Sequence, residues 1–216
     1  MKKIFRVAVD GPSGAGKSTI AKAIAGKLGI DYIDTGAMYR SVGYKMICEG
    51  ISVEDEDELK RILDDTDIDF YEGSIILDGK AVDDKIRTSE ISKMASLCSA
   101  LPAVREKLVD LQRRMGEKKS VIMDGRDIGT NVFRDAEYKF FLTASPEERA
   151  DRRFKELREK GESVSYEKVL EDIKQRDYND STRKLNPLRK ADDALEIDTT
   201  GLSVEDVVDN VLKEIK

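Results

Sequence analysis

Short apolar runs alternate with stretches of helical spacing along most of this chain. Ile4 to Val9 reads as a buried strand, and Lys17 to Leu28 has helical composition up to a stop at Gly29. Asp31 to Asp34 is a second short strand, and Thr35-Gly36 leads into a helix from about Ala37 to Cys48 that Glu49-Gly50 ends. Val121 to Asp124, Tyr138 to Thr143 and Leu195 to Asp198 repeat the strand pattern. Between and after them, Ser145-Pro146-Glu147-Glu148 opens a helix with an N-cap serine, a first-position proline and a capping-box glutamate. Another helix spans about Tyr166 to Thr182. Ser203-x-x-Asp206 caps the last one, whose Val204, Val207, Val208, Val211, Leu212 and Ile215 form one stripe that reads as core packing. Strands alternating with helices require a mainly parallel sheet covered on both faces. The expected fold class is therefore α/β, a five-stranded parallel sheet flanked by helices.

One region breaks the alternation. Glu54 to Asp65 is helical through Leu59, Ile62 and Leu63, but Asp67 to Val82 alternates about Glu72-Gly73 and Asp78-Gly79 turns, as a small antiparallel patch does. Residues 51–101 are expected to form an inserted second lobe, with 1–50 and 102–216 as the core. Pro102 reopens the core with a helix marked by Val104, Leu108, Leu111 and Met115 on one face. The charged, glycine-containing stretch from Leu157 to Ser165 suits a surface flap, so a helical lid is expected over about 149–166.

Composition narrows the chemistry. The 38 basic and 44 acidic residues leave −6, which argues against a general nucleic-acid or membrane-surface binder, so any basic site is local. No histidine is present, which removes Ser-His and Cys-His nucleophile pairs and imidazole-dependent zinc sites. Cys48 and Cys98 have no C-x-x-C spacing and are expected to be small core residues in a reducing compartment. Arg6 and Asp10 interrupt the opening Met1-Lys2-Lys3-Ile4-Phe5 before a signal-peptide core could form, and no apolar run reaches the roughly 18 residues of a membrane span. A cytoplasmic monomer is expected.

The motif with the most chemical content is Gly11-Pro12-Ser13-Gly14-Ala15-Gly16-Lys17-Ser18, which fits G-x-x-x-x-G-K-[ST] between a strand and a helix. Such a loop aims backbone N–H groups and a helix N-terminus at a di- or triphosphate. Lys17 adds a charge for the β- and γ-phosphates, and the Ser18 hydroxyl is placed for Mg²⁺. In an open parallel sheet, residues just after the strands form the ligand cleft. Here they are Asp10 to Ser18, Asp34-Thr35-Gly36, Asp124-Gly125-Arg126-Asp127 and Thr143. Asp124 closes an apolar strand, as expected of the acid that holds Mg²⁺ directly or through water; a simple strand-end turn former is the alternative. Arginines accumulate around the same cleft. Arg149, Arg152 and Arg153 share one helix face, as do Arg176, Asp180 and Arg183, and guanidinium forks suit phosphate oxygens. A solvated face with intrahelical ion pairs would explain Arg149 to Arg153 equally well.

Five motifs together resemble the bacterial cytidylate kinases over essentially the whole chain. They are Gly11 to Lys17, Asp34-Thr35-Gly36-Ala37-Met38-Tyr39-Arg40, Ile86-Arg87-Thr88, Asp124-Gly125-Arg126-Asp127-Ile128-Gly129-Thr130, and Arg176-Asp177 through Arg183. The resemblance implies phosphoryl transfer from ATP to CMP or dCMP in pyrimidine metabolism, with Mg²⁺, an acceptor-binding insertion and a lid. It implies cytosine recognition by Ser96, Arg105 and Asp127, and sugar contacts from Arg176 and Asp180. Arg40, Arg126 and Arg183 would hold the acceptor phosphate, beside Thr35 and Tyr39 of the same motif region; Thr35 stands where many members carry serine. The donor would lie on Gly11 to Ser18 with Thr19, Arg149 and Arg152, and catalytic charge would come from Lys17, Arg126, Arg153 and Arg183. The physical reading agrees: the N4 amino group of cytosine can donate to Asp127, where uracil presents a carbonyl. An acceptor phosphate that is largely dianionic near pH 7 needs no general base, which suits a chain without histidine. Competing readings are a P-loop kinase for UMP, AMP or shikimate, or a nucleotide-switch module; no N-K-x-D-like motif supports the second.

Overall fold

From the N-terminus the chain runs through β1 (Arg6–Asp10), α1 (Lys17–Leu28), β2 (Asp31–Asp34), α2 (Thr35–Glu49) and α3 (Glu56–Asp64). Three short strands follow, β3 (Ile68–Tyr71), β4 (Ser74–Leu77) and β5 (Lys80–Ala81), then α4 (Ser89–Cys98) and α5 (Pro102–Met115). The last part comprises β6 (Val121–Gly125), a π-helical turn (Ile128–Val132), β7 (Tyr138–Thr143), α6 (Pro146–Glu159), α7 (Tyr166–Thr182), β8 (Leu195–Asp198) and α8 (Val204–Glu214). This is a computed structural model, and it describes residues 4–215; the first three residues of the N-terminal run lie outside the described residues. The chain divides into two compact units, one made of the residues up to Tyr32 and from Ser120 onward, the other of Ile33–Lys119.

The first unit is built on the five-stranded sheet, in the order β2-β6-β1-β7-β8, with parallel pairing of β1 to β6, β1 to β7 and β7 to β8. Central β1 is apolar at Val7, Ala8 and Val9 without alternation because both of its faces are covered. Ile20 and Ile24 of α1, Ile122, Phe140 and Leu142 of the sheet, and Val207, Val208 and Val211 of α8 close one core. The expected α8 stripe is thus buried from its second turn, whereas Val204 in the first turn is exposed, ahead of the point where the helix meets the sheet. Register brings Asp10 level with Gly125, so β1 and β6 end side by side, while β7, level with Asp10 at Phe141, runs two residues further to Thr143. The helices α6 and α7 form a hairpin with its own small core of Ala150, Leu157, Val169 and Ile173.

In the second unit β3, β4 and β5 form the antiparallel patch, turning at Glu72 and Asp78 with φ near +50°. Its extent differs from the sequence boundaries at 51 and 101: α2 and α5 belong with the insertion. The reason is packing. Met38, Val42 and Met46 of α2 are buried as α2 lies along α4, and α5 packs on α2 and α3 through a buried face of Val104, Arg105, Leu108, Val109 and Gln112. That face is rotated from the expected one, leaving Leu111 and Met115 half-buried. Cys98 is buried as expected, but Cys48 is exposed, because two residues past Met46 the helix has turned its side chain away from α4. Among the described residues, no helix is long and apolar enough to cross a membrane.

Candidate active site

The loop after β1 is shaped by glycine. Gly11 has φ +148°, and a Cβ there would collide with the Leu142 carbonyl oxygen, so only glycine lets the chain leave β1 against β7. Gly16 enters α1 in the left-handed conformation and supplies no side-chain cap, so the first amides of α1 are left for an acceptor from outside the helix. Lys17 is buried, with Nζ donating to the Pro12 carbonyl at 2.7 Å. Burial pushes its ammonium down to about 7, and Arg126 and Arg176 push the same way against Asp124 and Asp10. Positive charge is concentrated here, as an anion site requires.

Asp124, nearly at the end of β6, is buried and accepts from two hydroxyls, Ser18 Oγ at 2.9 Å and Tyr32 Oη at 2.8 Å. A carboxylate and a serine hydroxyl are hard oxygen donors that fit Mg²⁺. Among the described residues there is no group of three or more acidic or sulfur side chains able to hold a metal, so the remaining ligands would be phosphate oxygens and water.

The arginines of this unit form a lattice with carboxylates. Arg126 Nε donates to Asp180 at 2.8 Å, and Arg183 to Asp127 at 3.0 Å; Asp180 and Asp127 are both buried. Burial raises the Asp180 carboxyl, but Arg126, Arg176 and Arg183 outweigh it and hold it below the usual range. Burial likewise opposes the Arg126 charge, and Asp180 overrides it. Arg183 lies just past the end of α7, where ψ turns to 142°, and its Nε caps the following bend at the Asn186 carbonyl (2.9 Å).

The three arginines of α6 separate. Arg149 is buried, donates to the Ala144 and Ser13 carbonyls at 2.9 and 3.1 Å and pairs with Asp177 at 2.7 Å, so the solvated-face reading fails for it. Arg152 reaches the Thr199 carbonyl at 3.0 Å as well as Glu148 at 3.3 Å. Arg153 turns along its own helix to Glu156 at 3.0 Å.

The remaining candidates lie in the second unit. Asp34 caps α2 by accepting from the Ala37 amide (2.8 Å) and also pairs with Arg40 (3.0 Å). Thr35 is buried at the first position of that helix. Arg105, buried on α5, donates to Tyr39 Oη at 3.3 Å and to the Ser99 carbonyl at 3.4 Å. Ser96 is half-buried, and its carbonyl accepts from Ser99 Oγ at 2.8 Å. Sequence reasoning assigned no role to Tyr32 or Asn131, which touch Asp124 and Asp127, and placed Asp10 and Asp177 in the cleft and a motif without a role of their own; Asp177 pairs with Arg149. Asn131 lies four residues after Asp127, whose carboxylate its side chain meets at 3.0 Å.

Comparison with known proteins separates the remaining kinase readings. A family model described as cytidylate kinase matches residues 7–216. The chain is 54% identical over 209 residues to the cytidylate kinase of Clostridioides difficile (strain 630), covering 97% of each chain. It is 53% identical over 217 residues to that of Caldicellulosiruptor saccharolyticus, covering 99% of this chain and 96% of the relative. A shikimate kinase from Bacteroides thetaiotaomicron aligns over 99% of both chains with a TM-score of 0.54 at 15% identity, a likeness of fold alone. The fold is shared with other kinases, whereas the near-complete sequence match is specific, and by it this chain belongs to the cytidylate kinase family.

Proposed function

We propose that this protein transfers the γ-phosphoryl group of ATP to CMP or dCMP, giving CDP or dCDP. The observation that carries the reading, beside family membership, is the buried Arg126–Asp180 and Arg183–Asp127 lattice in the same unit as Lys17. A switch module would have no use for it. Lys17 and the loop amides bind the donor phosphates, and nucleotide binding restores to Lys17 the charge that burial disfavours. Arg40, Arg126 and Arg183 bind the acceptor phosphate and orient its oxygen for in-line attack on the γ-phosphorus; Asp180 and Asp34 hold two of them ready. Arg176 and Asp180 serve the sugar, and Thr35 and Tyr39 join Arg40 in binding the acceptor. Asp127, with Ser96 and Arg105, selects cytosine by accepting from N4. Ser18 and Asp124 hold Mg²⁺, which when bound neutralises charge on the donor phosphates.

Arg149 and Arg152 set the donor side of the loop, and Arg153 is the arginine that a closing lid over 149–166 would bring to the transferred group. Closure excludes water, without which ATP would be hydrolysed. The proposal includes a monomer in the cytoplasm, where an exposed Cys48 thiol stays reduced. A coupled ADP-release assay with ATP and Mg²⁺ against CMP, dCMP, UMP, AMP and GMP tests the reading, with an acceptor-free control. CMP and dCMP should lead by at least about tenfold in kcat/KM. A different leading acceptor would overturn the base-pocket assignments, and slow hydrolysis with no acceptor would overturn the kinase reading.

A further inference from the structure

Asp10 ends β1 and has no part in the roles above, yet it is among the most tightly held side chains of the first unit. It is 5% exposed, and its two oxygens accept from separate amides, Oδ1 from Ile128 at 2.8 Å and Oδ2 from Gly129 at 2.7 Å. Those are the first two amides of the π-helical turn, donors that a helical turn leaves without internal partners. An aspartate immediately before such a turn ordinarily satisfies them itself. Asp127 occupies that place at φ −146° and ψ 29° and makes no side-chain cap. Its carboxylate meets Arg183 and Asn131 instead, each at 3.0 Å. Gly129 leaves room at this point, since a Cβ there would touch Asp10 Oδ2 at 3.4 Å and crowd Lys139 Cδ at 3.2 Å.

We propose that Asp10 is a positioning residue for acceptor recognition: it caps the π-turn from β1, so that the Asp127 carboxylate is kept for Arg183 and the acceptor base. Asp10 also precedes Gly11, the first residue of the phosphate loop. One peptide bond and two hydrogen bonds therefore join the donor loop to the turn that presents Asp127. The inference rests on the reading of Asp127 as the cytosine selector.

The test is a double-mutant cycle read in CMP-over-UMP discrimination. Asp10→Asn keeps the side chain's size but turns an amide N–H₂ toward a backbone N–H, losing about one hydrogen bond, or roughly tenfold. KM for CMP should rise by about that factor and the CMP/UMP ratio of kcat/KM should fall, while ATP affinity measured without acceptor changes less than about twofold. In an Asp127→Asn background the Asp10→Asn change should have little further effect on the ratio, which a merely structural role would not produce. Asp10→Ser, which can satisfy at most one of the two turn amides, should shift the ratio in the same direction, and it decides the matter if Asp10→Asn does not fold. An unchanged ratio in a folded Asp10→Asn protein, or an equal drop in the Asp127→Asn background, overturns the proposal alone. An unchanged ratio in Asp127→Asn itself overturns the selector reading and the proposal with it.

Discussion

Arg149 pairs with Asp177 at 2.7 Å while the same guanidinium donates to the Ser13 carbonyl at 3.1 Å, so one side chain joins α7 to the phosphate loop. Because Arg149 is 3% exposed, removing it leaves the buried Ala144 carbonyl, the partly buried Ser13 carbonyl and the partly buried Asp177 carboxylate without this donor. Arg149→Met should cost at least about 2 kcal/mol, less than the ~3–5 kcal/mol for a fully buried pair because Asp177 is partly exposed, and lower Tm by at least about 4 °C. Thermal unfolding of the ligand-free protein checks this. A Tm within a degree of the parent would mean the loop does not need the tie.

Lys17 should act on both rate and stability. Lys17→Met is expected to lower kcat by roughly 10² to 10³, the scale for losing one preorganised donor to a transferred group. Stability moves the other way. The folded value near 7 lies below the unfolded 10.5, so the unfolded chain binds more protons across that interval, and the Lys17 contribution, full above 10.5, is lost as pH falls through 7. Asp10 runs oppositely: burial raises it from 3.8 to about 7, so its contribution is full below 3.8 and lost as pH rises through 7. Lys17→Met should therefore raise the ligand-free Tm at pH 7 by a few degrees (about 2 to 4 °C per kcal/mol) and flatten its climb toward pH 9. Melts from pH 6 to 9.5 would show both effects, and a parent-like slope would contradict the burial argument.

ATP binding should also take up protons. At pH 8 a Lys17 titrating near 7 is mostly neutral, and phosphate oxygens draw it back to the ammonium form. Calorimetric titration in buffers of different ionisation enthalpy should report uptake approaching one proton, absent in Lys17→Met.

Tyr32 is expected to set how Asp124 meets Mg²⁺. Its hydroxyl donates to one carboxylate oxygen while Ser18 holds the other. Tyr32→Phe should shift the Mg²⁺ concentration for half-maximal rate by a few fold, near the ~1 kcal/mol of one hydrogen bond, with kcat at saturating Mg²⁺ little changed. Asp124→Asn should lower kcat by about 10² at any Mg²⁺ concentration. Identical Mg²⁺ curves for Tyr32→Phe and the parent would remove Tyr32 from that role.

Asp34 separates local capping from acceptor binding. Asparagine is as good an N-cap as aspartate, so Asp34→Asn should leave Tm within about 2 °C of the parent. It weakens the charge that orients Arg40, and KM for CMP should rise several-fold while KM for ATP holds. Parallel changes in both KM values would point to general disorder of α2 instead.

The alternation of β-strands and helices, the phosphate loop and the cap residues Ser145 and Ser203 were legible because each depends on neighbours within a few residues. The small antiparallel patch was legible for the same reason, through its two turns. The unit boundary was not, since α2 joins the inserted unit by the face it lays against α4, and its own sequence suits either partner. Cys48 and the rotated face of α5 were misplaced by the same limit: helical spacing tells which residues share a face, and packing tells which face is inside.

In the site, the types of residue were present in the motifs, and their partners were not. The sequence by itself determined the α/β class, the glycine-rich loop between β1 and α1, and the family. Only the tertiary structure decided that Arg149 is buried against Ser13 rather than solvated, and that Asp10 caps a turn 119 residues away at Gly129. The Asp10 contact follows from pairing of β1 with β6, which brings together strands more than a hundred residues apart, and the Arg149 contact from packing of α6 against the loop; both join segments far apart in sequence.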